Sequence, residues 1–314
     1  MQIIRLVFKK WLLLFLFAFH GAVAVAAGTQ PPKIDSSSAG VTEIAPAKAP
    51  WGRIVMVGAS ASAGFILSEP FGGTNTVKCR LSFYLDATLA VPHEPVRNLA
   101  TPAFFLNPEA FGRVQIENAV KARPTLVVGV DFLFWFCYGQ GRTDEERLQR
   151  FENGLKLLDA IKCPLVIGDI PDASYATNTG IISPDQVPSP EARTAVNRRL
   201  KEWVAAHPQV VIVPVSDFMR TVMANQALTI HGQTLPAGKS RAIFQNDQLH
   251  PNPRGAATLA LGIMDAFVSK QPPGVYINDV RWNPAEVFRI GYEAAQGRPR
   301  PSTNQPAATT SLAK

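Results

Sequence analysis

Five short apolar runs, residues 53–57, 95–99, 126–130, 165–169 and 210–215, alternate along this chain with stretches of helical periodicity. Runs of that length with no polar alternation are strands buried on both faces. Such strands separated by amphipathic segments near 77–89, 108–122, 143–161, 190–206 and 253–268 make βαβ units and a parallel sheet. Five parallel strands with helices on both faces is the economical arrangement. The last helix is entered through Pro251-Asn-Pro-Arg254, where a proline in the first turn costs no hydrogen bond. Residues 228–235, with His231-Gly232 in the middle, read as a β-hairpin. Residues 171–190 read as a long polar loop at the carboxyl edge of the sheet, where such loops shape pockets.

The N-terminus has its own pattern. Arg5, Lys9 and Lys10 precede an apolar stretch from Trp11 to about Val25, then small residues at Ala24-Val-Ala-Ala27. This is the layout of a secretory signal over residues 1–27, cleaved after Ala26 or Ala27, and its apolar part is short for a membrane span. The expectation is therefore a periplasmic or secreted protein with no stable membrane insertion. A flexible leader follows over 28–50, then a domain over 51–272, then a C-terminal extension over 273–314 with a disordered distal part from about 298. About 220 to 250 residues remain for one large core. Loss of the three basic residues takes the formal charge from +7 to +4. That excess is mild, and no Lys/Arg stripe with interleaved aromatics is present, so nucleic acid is not an expected partner.

Cys79, Cys137 and Cys163 lack the spacing of a metal cluster or a redox pair. One disulfide is plausible in an exported chain, with Cys79 and Cys137 the favoured pair and Cys163 a buried small hydrophobe. The mature histidines His93, His207, His231 and His250 show no HxH or HExxH spacing, and no metal or organic cofactor is expected. The chain also lacks the glycine patterns of dinucleotide and nucleotide loops.

Two segments carry chemistry. Gly58-Ala-Ser60-Ala-Ser62-Ala-Gly64 follows the first strand, which makes it a turn that pushes a hydroxyl outward beside unpaired backbone N–H groups. Ser60 is the candidate nucleophile. Ser62 is its rival, but stands where serine caps a helix start. Far along the chain, Asp247-Gln-Leu-His250 places a carboxylate and an imidazole on one loop. Nucleophile, base and orienter of the base are the groups acyl transfer needs.

Gly58-Ala59-Ser60 near the N-terminus and Asp247-Gln248-Leu249-His250-Pro251, with Gly255 beyond, resemble the opening and closing blocks of the SGNH or GDSL-type esterases and lipases. The likeness spans about residues 53–269. It implies a three-layer α/β/α, flavodoxin-like fold and a serine hydrolase mechanism with Ser60, His250 and Asp247 as triad. Ala59 stands where the family has Asp, a position outside the triad. The family's oxyanion-binding glycine aligns with Ala100 or Thr101, whose N–H groups can donate, and its Asn aligns with Asp131 in Gly129-Val-Asp-Phe132.

A carboxylate at that place accepts only and repels a developing oxyanion. The expected resolutions are a neutral Asp131 among Phe132, Phe134 and Trp135, a substitute donor such as Asn98 or Asn75, or weak catalysis. A plainer role is that Asp131 caps its loop through backbone N–H groups. On the oxyanion reading, Asp131→Asn keeps or raises turnover. The aromatic run 132–138 should be mostly core, with alternate members lining an acyl or sugar pocket.

The resulting expectation is an exported hydrolase of carboxylic esters, its substrate a small molecule, polysaccharide or lipid carrying a small acyl group. The alternatives are an O-acyltransferase of the same fold and a non-catalytic glycan-binding module with a degenerate oxyanion hole.

Overall fold

The computed structural model describes residues 49–70, 72–139 and 143–298. The expected signal segment, nearly all of the leader and the distal tail lie outside them. In chain order the elements are β1 (Ile54–Met56), α1 (Ser60–Ala63), α2 (Thr74–Lys78), α3 (Leu81–Thr88), β2 (Arg97–Asn98), α4 (Pro108–Lys121), β3 (Leu126–Gly129), α5 (Phe134–Cys137) and α6 (Asp144–Leu158). They continue with β4 (Leu165–Gly168), α7 (Pro190–Ala205), β5 (Val210–Val213), α8 (Val215–Met223), β6 (Leu228–Ile230), β7 (Gln233–Leu235), α9 (Pro253–Ser269) and α10 (Pro284–Ala295).

The sheet is parallel throughout, in the order β2-β1-β3-β4-β5. Strand periodicity divides its side chains between two cores. Val55, Val127, Leu165, Ile167 and Val210 point to a layer built from α4, α6 and α7, where Ile116, Phe151, Leu155 and Leu200 meet them. Ile54, Met56, Val128, Val166 and Val211 point the other way, onto α3, α9 and α10. Three layers result, as expected. The runs at β1, β3, β4 and β5 carry no alternation because both faces of the sheet are covered there, whereas the edge strand β2 is the polar, partly exposed Arg97–Asn98.

Three differences from the sequence expectation have physical causes. The last apolar run, 210–215, is not one strand: β5 ends at Val213, and Pro214 leads directly into α8. Val215 looks like strand residue by hydrophobicity, yet it packs as the first residue of a helix. The segment beyond residue 272 is part of the packed unit, so the boundary expected there falls short. Trp51 Nε1 donates to Asp279 Oδ2 at 2.8 Å, Val280 bridges to Leu89, and Val287 and Ile290 of α10 are buried against the α3–α9 layer.

The cysteines give the third. Cys79 and Cys137, the favoured pair, are both free, as is Cys163. Cys79 closes α2 on the side of Asp247 and Glu69, whereas Cys137 lies in the core cluster of α5 and α6, near Arg147. Burial pushes the Cys79 thiol up to about 11 and that of Cys137 up to about 12, so neither is a thiolate at neutral pH.

Candidate active site

In the order β2-β1-β3-β4-β5 the chain reverses direction across the sheet between β1 and β3. The crevice beyond the carboxyl ends of those two strands is where open α/β sheets bind ligands. The segment after β1 carries Ser60, and the segment after β3 carries Asp131.

The turn after β1 is held from several sides. The buried Gln115 of α4 clasps Gly58, accepting its N–H at 2.7 Å and donating to its carbonyl at 2.9 Å. Gly58 has φ +144, and a Cβ there would sit 2.1 Å from Asp131 Oδ1, so no side chain fits. Asp131 supplies the third hold. Its Oδ1 accepts from the Ala59 N–H at 3.0 Å and the Ser62 hydroxyl at 2.6 Å, and its Oδ2 from the Ser62 N–H at 3.0 Å. Ser62 is fully buried in this network, which leaves Ser60 as the half-exposed hydroxyl of the turn.

The loop carrying His250 is equally determined. Asp247 Oδ1 accepts from the N–H groups of Leu249 and His250 at 3.0 Å each, while Gln248 takes the left-handed φ of 60 that closes so tight a turn. Gln245 N–H donates to the His250 carbonyl at 2.9 Å, and its side-chain amide donates to the carbonyls of Phe65 and Pro251 at 2.7 and 3.1 Å. One glutamine thus ties the histidine loop to the chain just past the serine. Phe65 lays its ring on the imidazole, with centroids 4.5 Å apart. From the expected edge loop, Thr179 donates its hydroxyl to the Asp247 carbonyl at 3.0 Å.

These supports bring the three side chains together. His250 Nε2 lies 2.8 Å from Ser60 Oγ, and His250 Nδ1 lies 2.8 Å from Asp247 Oδ2. Asp247 and His250 are almost fully buried. A carboxylate partner holds the proton on Nδ1, so Nε2 is the nitrogen that accepts the serine proton. Burial drives the Asp247 carboxyl upward, but the hydrogen bond and charge of His250, with the N–H groups of His250 and Leu249, outweigh it; the net shift is downward. Asp247 is thereby held ionised opposite the imidazole.

The oxyanion assignments come out differently. The Ala100 N–H is turned onto Asn98 Oδ1 at 2.9 Å, in an Asx turn, and the Thr101 N–H bonds the Gly58 carbonyl at 3.2 Å. Neither is free to receive an oxyanion, and neither residue lines the cavity at Ser60. Asp131 does line it, but both of its oxygens face the turn's own donors, so it is a clamp on the serine turn in place of an oxyanion contact. The substitute donors fail too: Asn98 Nδ2 donates to the Ser62 carbonyl at 3.2 Å, and Asn75 Nδ2 to Glu69 Oε1 at 2.9 Å. Among the described residues the Ser60 N–H has no acceptor, and it opens the first turn of α1.

A cavity of about 70 Å³ adjoins Ser60 and His250. Phe134 and Trp135 of the aromatic run line it, while Phe132, Phe136 and Tyr138 are core. The lining members are adjacent instead of alternate because the run coils into α5. Asp169, past β4, also reaches the cavity wall. Burial raises its carboxyl above its ordinary value, against the pull of the Ser216 N–H and hydroxyl. The residues that sequence reasoning missed are Gln115, Phe65 and Gln245. Each acts across the fold, and no local spacing marks it. Among the described residues no group of three or more His, Cys, Asp or Glu side chains could hold a metal ion, and no helix is long and apolar enough to cross a membrane.

No family model matches the chain, and no curated protein matches it. Among solved structures it is similar to the lipase/acylhydrolase from Enterococcus faecalis, at 16% identity over 71% of this chain and 98% of that one, with a TM-score of 0.48. It is similar also to TesA, at 17% identity over 70% of this chain and 99% of that one, with a TM-score of 0.39. What the described residues show is a three-layer α/β/α fold around a five-stranded parallel sheet. In this fold the serine turn follows the first strand and the Asp-His loop directly precedes α9, at one edge of one sheet.

Proposed function

We propose that the protein is a carboxylic ester hydrolase with Ser60 as nucleophile, His250 as general base and Asp247 as the residue that orients and charges the base. One observation carries this reading: an unbroken chain of two 2.8 Å hydrogen bonds, Asp247 to His250 to Ser60, opening on a cavity. Ser60 Oγ attacks the ester carbonyl as its proton passes to His250 Nε2. The bond to the leaving alcohol breaks, and that proton goes to the alcohol oxygen. Water then attacks the acyl carbonyl as its proton passes to His250; the bond to Ser60 Oγ breaks, that proton returns to Oγ, and the acid leaves. The Ser60 N–H is the oxyanion donor this site offers. A missing second donor commonly costs about a hundred- to a thousandfold in rate, so the enzyme is a slow one of its kind. The substrate we propose carries a small acyl group on a carbohydrate or lipid and is met outside the cytoplasm, in the periplasm or medium, given the signal-like N-terminus.

The engaged N–H groups of Ala100 and Thr101 favour a second reading, a binding module that has kept the triad geometry without turnover. Fluorophosphonate labelling separates the two. Labelling and p-nitrophenyl ester hydrolysis by the wild type, both lost in Ser60→Ala and His250→Ala, are the expected results. An unlabelled wild type that turns over no ester excludes the hydrolase.

A further inference from the structure

The chemistry of the cavity beside Ser60 restricts what can lie in it. Its wall is formed by Val130 at the end of β3, Phe134 of α5, Ile170 past β4, Val215 and Met219 of α8, and Leu259 of α9. Apart from the indole of Trp135, its polar lining residues are Ser60, His250, Asp131 and Asp169. The first two are the reacting pair. Asp131 is turned to Ala59 and Ser62, and Asp169 Oδ1 accepts from the Ser216 N–H at 2.7 Å.

Among the described residues no Lys, Arg, Asn or Gln lines the wall, so no amide and no Lys or Arg charge is there for an anion, and a sugar ring would find only carboxyl acceptors and the Trp135 indole. A carboxylate entering would meet two carboxyl groups and no cation. A sugar would leave most of its hydroxyls unpaired, which buried sites reject strongly. An apolar chain needs no partner there and gains from leaving water.

Size narrows the choice further. An apolar cavity of about 150 Å³ takes up benzene, a six-carbon ring. The cavity here, about 70 Å³, is about half that. Met219 and Leu259 on its wall are both buried. Met219 is itself backed by Val222 and Ile243 in a small cluster between α8 and the hairpin.

We infer that this cavity is the acyl subsite, that it takes an uncharged, unbranched acyl group of about four carbons, and that Met219 on α8 sets the length. The inference rests on the hydrolase reading and adds the substrate's acid half to it. The alcohol half stays outside, on the open side of Ser60.

The test is a kcat/KM series on the wild-type chain with p-nitrophenyl acetate, butyrate, hexanoate, octanoate and palmitate, plus the hemisuccinate, which matches butyrate in length but carries a charge. Each buried methylene should raise kcat/KM about fourfold, so butyrate should exceed acetate by about fifteenfold. Octanoate and palmitate should fall below butyrate, and the hemisuccinate should be at least about tenfold worse. Met219→Ala should move the optimum to hexanoate or octanoate. Because that buried truncation can cost folding, Phe218→Ala, at the half-buried neighbour on the same wall, is the second variant, and circular dichroism checks both.

Three results each overturn the subsite while leaving the hydrolase intact, provided Ser60 is labelled by fluorophosphonate. These are a series that falls from acetate onward, a hemisuccinate equal to butyrate, or an optimum unmoved in both folded variants. Absence of both labelling and turnover instead removes the hydrolase reading, and the subsite with it.

Discussion

Replacing Asp131 with Asn separates the two roles that this residue can have. The carboxylate accepts three hydrogen bonds, from the Ala59 N–H at 3.0 Å, the Ser62 hydroxyl at 2.6 Å and the Ser62 N–H at 3.0 Å. An amide has one acceptor oxygen. Turned to keep Ala59 and the Ser62 hydroxyl, it presents its NH2 to the Ser62 N–H, donor against donor. The lost bond to a charged group is worth about 1.5–3 kcal/mol, and the two retained bonds fall to roughly half their strength without the charge. A destabilisation of about 3–6 kcal/mol follows. The same turn carries Ser60, and a displacement of about 1 Å there costs about a hundredfold in rate.

Urea unfolding together with kcat and KM on a p-nitrophenyl ester measures both effects. The expectation is a lower midpoint and a loss of about a hundredfold, mostly in kcat. This reverses what the motif alignment suggests, since an asparagine there would restore an oxyanion donor. A variant as stable as the wild type, with equal or faster turnover, would falsify the clamp.

Gly58→Ala places a Cβ 2.1 Å from Asp131 Oδ1 at φ +144, so a loss of at least about 3 kcal/mol is expected; an unchanged urea midpoint would refute the close fit. Asp247, whose carboxyl is held below its ordinary value, contributes stability that is present above the unfolded value of about 3.9 and is lost as pH falls through the folded value. The stability gap between wild type and Asp247→Asn should therefore shrink below about pH 4, and urea titrations giving a constant gap from pH 7 to pH 3 would contradict the assignment. Ending the chain at Pro272 removes the Trp51–Asp279 bond and the buried Val280, Val287 and Ile290, for an expected loss of about 4–6 kcal/mol. A melting temperature unaffected by that truncation would show that α10 only rests on the surface.

What could be read from the sequence divides along a physical line. The inner strands of the parallel sheet were legible because burial on both faces leaves an uninterrupted apolar run, as at Leu126–Gly129; the edge strand β2, Arg97–Asn98, has no such run. Asp247 and His250 were legible as a pair because their geometry is local: the carboxylate bonds the N–H groups two and three residues on and the imidazole three residues on. The start of α8 was not, since Val215 continues the hydrophobicity of β5 and only Pro214 breaks it.

The oxyanion assignments failed for another reason. Alignment places Ala100, Thr101 and Asp131 near the serine, but cannot say which way a donor or an acceptor is turned. The Asx turn at Asn98 and the hydroxyl of Ser62 decide that, and Ser62 had been set aside as a helix cap. Gln115 and Gln245 belong to the same class. Each acts through backbone groups of a segment far away in the chain.

The contact between Ser60 and His250 joins residues 190 positions apart. A ribosome must therefore deliver most of the polypeptide before the two can meet, and any product of premature termination before residue 250 has a serine without its imidazole partner. Loops closed over such a span form late and slowly, since their entropy is lost before any contact rewards it. On the hydrolase proposed above, reactivity of the serine is proof of a finished molecule: the half-made chain, however much of its sheet it has assembled, lacks the imidazole that would activate the hydroxyl.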